Sequence, residues 1–378
     1  MRPTALALGL LAAVAALPAS AQSEPKPFSR DDARAIIRDA RKIVSPQGIE
    51  ELRAVEINGL PQWISVRGRD RRNPILLFIH GGPASTEMPV SWLYQSPWED
   101  FFTVVQWDQR AAGKTAVGAD HAAVGPTVTV EQMTADGEAM VAHLRERYGK
   151  EKVFVLGHSW GSVIGLNLAR RRPEWLHAYV GMGQIVDWNA NEAAGYDFAL
   201  RMARADGNAQ AVRELEALAP YPPAEGVLSF EQVVTQRKWV IHYGGLTMGR
   251  SDFAYDLDAR KISPDYTDRD LSPGVPDGDA LIRLLPGMTA LDFAQVNRVE
   301  APVFLFLGRR DYQTPSKVAA DWHARLQAPQ KGLFWFERSA HMMHLEQPGK
   351  VLMHLVNDIR PIAERAGDVA PPDRPGVD

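Results

Sequence analysis

A serine between two glycines is the first residue of this sequence whose setting suggests chemistry. Residues 157–161 read Gly-His-Ser-Trp-Gly, after the apolar run 153–156 and before a helical pattern. A G-x-S-x-G motif between a strand and a helix is typical of a nucleophile elbow, a strained turn that exposes the serine hydroxyl. The motif alone is a weak signal, and its position between these two elements gives it weight. The sequence therefore predicts Ser159 as a nucleophile.

A serine nucleophile needs a base, and that base must be oriented by a third group. Downstream of the serine, Asp311 ends a strand-and-turn segment at 305–311, and His341 follows the next apolar run, 334–336, by five residues. Both side chains come just after the carboxyl end of a strand, where an open α/β sheet places its ligands. The chain order serine, aspartate, histidine is also the order of this kind of triad. We therefore predict that Asp311 orients His341 as the base of Ser159.

Two other residues compete for these roles. Asp187 follows the apolar strand 176–182 and is the alternative acid, while His344 is the alternative base, although its position favours packing or exposure to solvent. His341 and His344 do not indicate a metal site, because no third ligand stands at a recognised spacing from them. We expect no cofactor either, since the chain has no dinucleotide fingerprint.

An oxyanion hole is predicted from a second glycine motif. Residues 80–83 read His-Gly-Gly-Pro and directly follow the apolar strand 75–79. Backbone N–H groups at such a turn can face a substrate, and the residue after the nucleophile supplies a second donor. We therefore predict that the amides of Gly82 and Trp160 hold the negative charge of the tetrahedral intermediate.

Elements that could position these residues alternate along the chain. Apolar strands at 75–79, 101–107, 153–156, 176–182, 303–307 and 333–336 alternate with helical patterns, after an opening hairpin at 50–66 that turns at Asn-Gly. This order predicts an α/β fold, a mostly parallel sheet with helices on both faces. The alternation fails in an aromatic-rich stretch, which we interpret as a mostly helical lid. We divide the chain into a signal peptide at 1–21, a first core segment at 22–186, the lid insertion at 187–290, a second core segment at 291–364 and a disordered tail at 365–378.

The predicted signal peptide places the protein outside the cytoplasm. Arg2 precedes the apolar run 6–17 and the small residues Ala-Ser-Ala at 19–21, a pattern that predicts cleavage and export to the periplasm or the medium. The chain has 378 residues, a formal net charge of −4 and no cysteine. Without cysteine there are no disulfides, thiolate metal sites or cysteine nucleophiles. The absence of long runs of like charge excludes a nucleic-acid surface, and we expect no stable membrane insertion after cleavage.

Five motifs together resemble one family. They are His-Gly-Gly-Pro at 80–83, Trp-Asp-Gln-Arg at 107–110, Gly-His-Ser-Trp-Gly-Ser at 157–162, Gly-Arg-Arg-Asp at 308–311 and the stretch from Ser339 to Pro348. They make the chain similar to the proline iminopeptidases, peptidase family S33 of the α/β hydrolases, over about 60–187 and 295–362. The resemblance implies that fold, and it implies the same triad and oxyanion positions. Ala84 and Ala111 stand where the family usually has glycine, a change that can reshape the floor of the site.

The substrate is the open part of the prediction. The resemblance implies an aminopeptidase acting on short peptides, and the family's peptidases hold the free α-amine with lid glutamates. The lid acids that could do so by location are Glu192, Glu214, Glu216, Glu225 and Glu231, with Asp197 and Asp206 as further candidates. The alternatives are an esterase, lactonase or amidase for a small non-peptide substrate and, more remotely, a non-catalytic binding protein. The oligomeric state is not indicated by the sequence.

Overall fold

The computed structural model describes residues 27–271 and 277–371. The predicted signal peptide therefore lies outside the described residues, as do five residues of the predicted lid and the last seven of the predicted tail. None of the described helices is long and apolar enough to cross a membrane.

Eight strands form one sheet. They are β1 (Ile49–Ile57), β2 (Leu60–Gly68), β3 (Ile75–Ile79), β4 (Thr103–Trp107), β5 (Val153–His158), β6 (Leu176–Met182), β7 (Val303–Gly308) and β8 (Lys331–Phe336). Their order across the sheet is β1-β2-β4-β3-β5-β6-β7-β8. Strand β2 pairs antiparallel with β1 and β4, and all the other neighbours are parallel. The prediction of a mostly parallel sheet with an antiparallel edge is confirmed.

The buried strands are mostly apolar because both faces of the sheet are covered. In β3, Leu77 and Ile79 pack into one core cluster, and Leu76 and Phe78 pack into a second cluster on the other face. Successive side chains of a strand point to opposite faces, so a strand between two helical layers needs apolar residues at every position. This is why the runs of the sequence predicted the strands so closely.

Fourteen α-helices complete the described part of the chain. They are α1 (Arg30–Ala40), α2 (Gly113–Val117), α3 (His121–Val124), α4 (Val130–Tyr148), α5 (Trp160–Arg171), α6 (Trp188–Ala205), α7 (Ala209–Glu216), α8 (Phe230–His242), α9 (Ala254–Lys261), α10 (Asp277–Thr289), α11 (Ser316–Arg325), α12 (Met343–Glu346), α13 (Pro348–His354) and α14 (Pro361–Arg365). Helices α6 to α10 lie between β6 and β7, so the predicted helical lid is confirmed.

The segment predicted as a tail begins with ordered contacts. Helix α14 ends inside it, and the carboxylate of Asp368 accepts hydrogen bonds from Lys150 and from Nε2 of His177. Residues 368–370 therefore pack against the core, beside β6. This arrangement differs from a disordered tail that begins at residue 365.

Candidate active site

The turn between β5 and α5 holds Ser159 in a conformation that non-glycine residues rarely adopt. Its φ is 54° and its ψ is −121°, which is strained backbone geometry of the kind that gathers at functional sites. A Cβ on Gly157 would lie 2.4 Å from the carbonyl oxygen of Gly161, and one on Gly161 would lie 2.0 Å from that of Ile79. Both glycines of the motif are therefore required for α5 to start this close to β3 and β5.

Asp311 and His341 meet beyond the ends of β7 and β8. The carboxylate oxygen Oδ2 of Asp311 accepts a hydrogen bond of 2.8 Å from Nδ1 of His341, and both side chains are buried. The other carboxylate oxygen accepts the N–H groups of Gln313 and Thr314, at 3.0 and 2.8 Å. The Thr314 hydroxyl donates to Oδ2 at 3.0 Å. With these bonds made, the carboxylate is fixed in the orientation that presents one oxygen to the imidazole.

Ser159 and His341 line one cavity of about 260 Å³. The loop after β3 contributes Gly81 and Gly82 to its wall, and a Cβ on Gly81 would lie 2.9 Å from Cβ of Ser159. The lid contributes apolar side chains, among them that of Phe253. The fold thus brings the predicted nucleophile, the predicted base and the glycine motif to a single cavity.

The two predicted oxyanion donors come from different elements, the loop after β3 and the start of α5. Gly82 lines the cavity with a φ of 109°, and a Cβ there would lie 2.5 Å from the amide nitrogen of Ser85. Only glycine fits such a position, because both the torsion angle and the space exclude a side chain. Trp160 is the first residue of α5, so its N–H has no acceptor within the helix and lies at the positive end of the helix dipole.

The alternative acid occupies a different structural role. The side chain of Asp187 accepts the N–H of Ala190 at 2.9 Å and caps the start of α6. Among the contacts of the described residues, Asp187 makes none with His341. The geometry therefore favours Asp311 over Asp187 as the partner of the imidazole.

The Trp-Asp-Gln-Arg run at 107–110 connects loops around the site. The guanidinium of Arg110 donates two hydrogen bonds, of 2.7 and 3.0 Å, to the carboxylate of Asp136. The amide N–H of Gln109 donates to Nε2 of His80, and burial lowers the pKa of His80 to about 4. His80 is thus a neutral residue that fixes the glycine loop to its neighbour.

A buried acidic corner of the cavity was missed by the sequence reasoning. Glu87, which is 3% exposed, lines the same cavity as Ser159. Its Oε2 accepts a hydrogen bond of 3.1 Å from Nε2 of His344, and its Oε1 lies 3.9 Å from Nδ1 of His158. Burial raises the pKa of Glu87, but the bond and charge of His344 outweigh burial and bring it below its ordinary value. No motif in the sequence singles out Glu87, whose one signal is its position just after the glycine loop.

The same corner holds His344, for which the sequence favoured packing or exposure. This histidine is fully buried and packs against Phe78 and Tyr94, and it also binds Glu87, which the sequence did not indicate. Donor atoms of Glu87, His158 and His344 all lie within 4.8 Å of one another, close enough for a metal ion. This cluster does not contain His341, so it is a different set of residues from the histidine pair considered in the sequence.

The lid acids proposed for amine binding lie elsewhere. Glu192 is buried, but its carboxylate accepts a hydrogen bond of 2.5 Å from the Tyr221 hydroxyl and pairs with Arg237. Glu214, which is half-buried, pairs with Lys238, and the exposed Glu216 pairs with Arg204. In the described part of the lid, no acidic residue lines the cavity of Ser159.

Comparisons with known proteins agree with this architecture. A family model for the alpha/beta hydrolase fold matches residues 74–221. The probable aminopeptidase YbaC of Bacillus subtilis is 26% identical over 315 residues, which are 81% of this chain and 95% of that protein. A probable proline iminopeptidase of Streptomyces coelicolor is 34% identical over 116 residues, which are 30% of this chain and 34% of that protein.

Solved structures show the fold alone, because their sequences are distant. The proline iminopeptidase of Mycobacterium smegmatis superposes with a TM-score of 0.57 at 18% identity, covering 84% of this chain and all of that one. Est816, described as an N-acyl homoserine lactone degrading enzyme, gives 0.54 at 14% identity, covering 80% of this chain and 98% of that one. Peptidases and lactone-degrading enzymes thus share this fold, and the fold does not separate them.

Proposed function

We propose that this α/β hydrolase, which resembles the proline iminopeptidases, is a serine aminopeptidase that releases the first residue of short peptides. The observation that supports it most is the shared cavity, into which Ser159 and His341 open while Asp311 holds the far side of the imidazole. The near full-length similarity to a probable aminopeptidase favours peptides as substrates.

Acylation in this proposal begins at the hydroxyl of Ser159. Its oxygen attacks the carbonyl carbon of the first residue while Nε2 of His341 takes the proton. The amides of Gly82 and Trp160 donate hydrogen bonds to the resulting oxyanion. When the intermediate collapses, the C–N bond breaks, and His341 gives its proton to the leaving amine. The first residue of the substrate is then an ester on the serine.

Deacylation repeats the sequence with water. His341 takes a proton from a water molecule, the water oxygen attacks the ester carbon, and the same two amides receive the charge. Collapse breaks the bond to the Ser159 oxygen, which regains its proton from His341. The imidazolium that forms in each half-reaction is stabilised by Asp311.

An esterase for small acyl groups is the second candidate. It is favoured by the positions of the lid acids, which pair within the lid or face solvent instead of lining the cavity. An uncharged ester would need no such residue. The two candidates share the same triad and differ only in what binds the substrate.

A side-by-side assay tests both candidates. We expect aminoacyl arylamides, including the proline derivative, to be hydrolysed faster than acyl arylamides without an amine, with short p-nitrophenyl esters as a second series. Ser159→Ala should abolish all of these activities, by about 10⁴- to 10⁶-fold, and should abolish labelling by a fluorophosphonate while leaving the circular dichroism spectrum unchanged. Labelling that persists in this variant would move the nucleophile to another residue. Hydrolysis of esters alone would select the esterase.

Export is the remaining part of the proposal. The basic start, the short apolar run and the Ala-Ser-Ala site of the first 21 residues support it. The enzyme would then act in the periplasm or the medium on peptides that reach it there.

A further inference from the structure

The histidine inside the elbow lines the cavity and has one buried nitrogen that no hydrogen bond uses. Nε2 of His158 lies 3.1 Å from the carbonyl oxygen of His341. A carbonyl can only accept, so this nitrogen carries the proton. Burial lowers the pKa of His158 well below its ordinary value, which keeps the ring neutral. Its other nitrogen, Nδ1, is therefore unprotonated and carries a lone pair that can accept a hydrogen bond. This atom is buried and has no hydrogen-bond partner.

That lone pair faces a carboxylate. Oε1 of Glu87 is the nearest carboxylate oxygen, 3.9 Å away from Nδ1 of His158. Two acceptors do not bind each other, and a buried acceptor without a donor is unfavourable. The corner between them is thus built for a group that brings several N–H donors and a positive charge.

Glu87 already accepts a hydrogen bond from His344 at Oε2, and its Oε1 is the oxygen that faces His158. The guanidinium of Arg260 also lowers the pKa of Glu87, but it pairs with the buried carboxylate of Asp256 and donates a hydrogen bond of 2.6 Å to the carbonyl oxygen of Thr86. Among the described residues that line the cavity of Ser159, Glu87 is the one acid.

We propose that Glu87 and Nδ1 of His158 together hold the α-ammonium group of the substrate's first residue. This proposal rests on the proposed aminopeptidase activity and moves amine recognition from the lid to the wall of the core. An ammonium group donates to both acceptors at once and supplies the missing donor. It is separated from the scissile carbonyl carbon by a single Cα, so its binding site must share a small space with the nucleophile. Glu87 and Ser159 meet this requirement, because both line the cavity of about 260 Å³.

The test compares two substrates that differ only in the amine. Alanine p-nitroanilide carries the ammonium, and propanoyl p-nitroanilide lacks it. We expect Glu87→Gln to lower kcat/KM for the alanine substrate by about 100-fold, since removing one partner of a buried charge pair has effects of this size. The propanoyl substrate should change by no more than about threefold. Glu214→Gln, the same substitution at a half-buried residue of the lid that does not line the cavity, is the matched control and should change neither.

Folding and the nucleophile are monitored separately in the same samples. Fluorophosphonate labelling and hydrolysis of p-nitrophenyl propanoate report an intact triad in Glu87→Gln. An equal loss with both anilides would show a structural role for Glu87 and overturn the proposal. Unchanged kcat/KM values for both anilides would overturn it as well. Absence of any Ser159-dependent hydrolysis would instead refute the proposed function itself.

A divalent cation is the competing occupant of this corner. Zn²⁺ is titrated calorimetrically into the wild type and into His344→Gln. The proposal of amine binding would be overturned by two results together. The wild type would bind Zn²⁺ stoichiometrically while His344→Gln did not, and Glu87→Gln would not change the preference between the two anilides. The corner would then be assigned to a metal. Amine discrimination without stoichiometric Zn²⁺ binding supports the proposal.

Discussion

Replacing Asp311 by asparagine tests the acid of the proposed triad at a single atom. Oδ1 of Asp311 accepts two backbone N–H groups, and Oδ2 faces Nδ1 of His341 at 2.8 Å. An asparagine keeps its oxygen where the two backbone groups need an acceptor, so its NH₂ group replaces Oδ2. A donor then faces Nδ1, and the imidazole must carry its proton on Nε2, where it can no longer accept one from Ser159.

The expected loss follows from this change of tautomer. Holding the wrong tautomer costs about 10⁴-fold in kcat in a triad of this kind, which is ~5.4 kcal/mol in the barrier. Asp187→Asn is the matched control, because asparagine caps a helix as well as aspartate does, and kcat should stay within about twofold.

The assay is steady-state hydrolysis of the best arylamide or ester, normalised to the fraction of folded protein from circular dichroism. A larger loss in Asp187→Asn than in Asp311→Asn would refute the reasoning and place the acid after β6. So would an Asp311→Asn enzyme that keeps more than a tenth of the wild-type kcat.

The remaining predictions concern stability and processing. Burial raises the pKa of Asp108 from 3.8 to about 7, so the folded chain holds this proton more tightly than the unfolded chain does. The free energy of unfolding therefore falls as the pH rises between these values, by at most about 4 kcal/mol. In urea unfolding, the free energy of unfolding of Asp108→Asn relative to the wild type should be higher at pH 8 than at pH 5. The same difference between the two proteins at both pH values would contradict the pKa shift. Mass spectrometry of the protein from its native host should find a mature chain that begins at or near Gln22, whereas a chain that keeps Met1 in the membrane fraction would be an anchored enzyme.

The sheet and the proposed triad were predictable because local patterns encode them. Strand β6 was predicted at its observed bounds, since every residue of 176–182 is buried and the run is apolar. Parallel strands end at the same edge, so residues that follow them meet there. Ser159, Asp311 and His341 each follow such a strand, which is why their meeting could be inferred from chain order.

The acidic corner was not predictable because long-range packing creates it. Glu87 and His344 are 257 positions apart, and neither belongs to a motif that points to the other. The positions of the lid acids away from the cavity could not be predicted for a similar reason. A sequence shows that Glu192 lies on a helix of the lid, but only the packing of α6 against α8 shows that it faces Arg237.

Two backbone hydrogen bonds join the lid to the loops that carry the proposed base and follow the proposed acid. The amide N–H of His341 donates to the carbonyl oxygen of Leu246 at 2.9 Å, and that of Tyr312 donates to Gly245 at 3.1 Å. These bonds join a lid segment to the residues that carry the base and follow the acid. A substrate that displaced this segment would therefore also move the imidazole. We therefore expect the substrate to reach the cavity of Ser159 from another side. A second cavity, of about 380 Å³, shares the lining residues Phe253 and Met342 with the cavity of Ser159 and so adjoins it. Glu87, the proposed amine ligand, belongs to the core and not to the lid. A first residue held at Glu87 would therefore keep its position relative to Ser159 while the rest of the peptide extends into that second cavity.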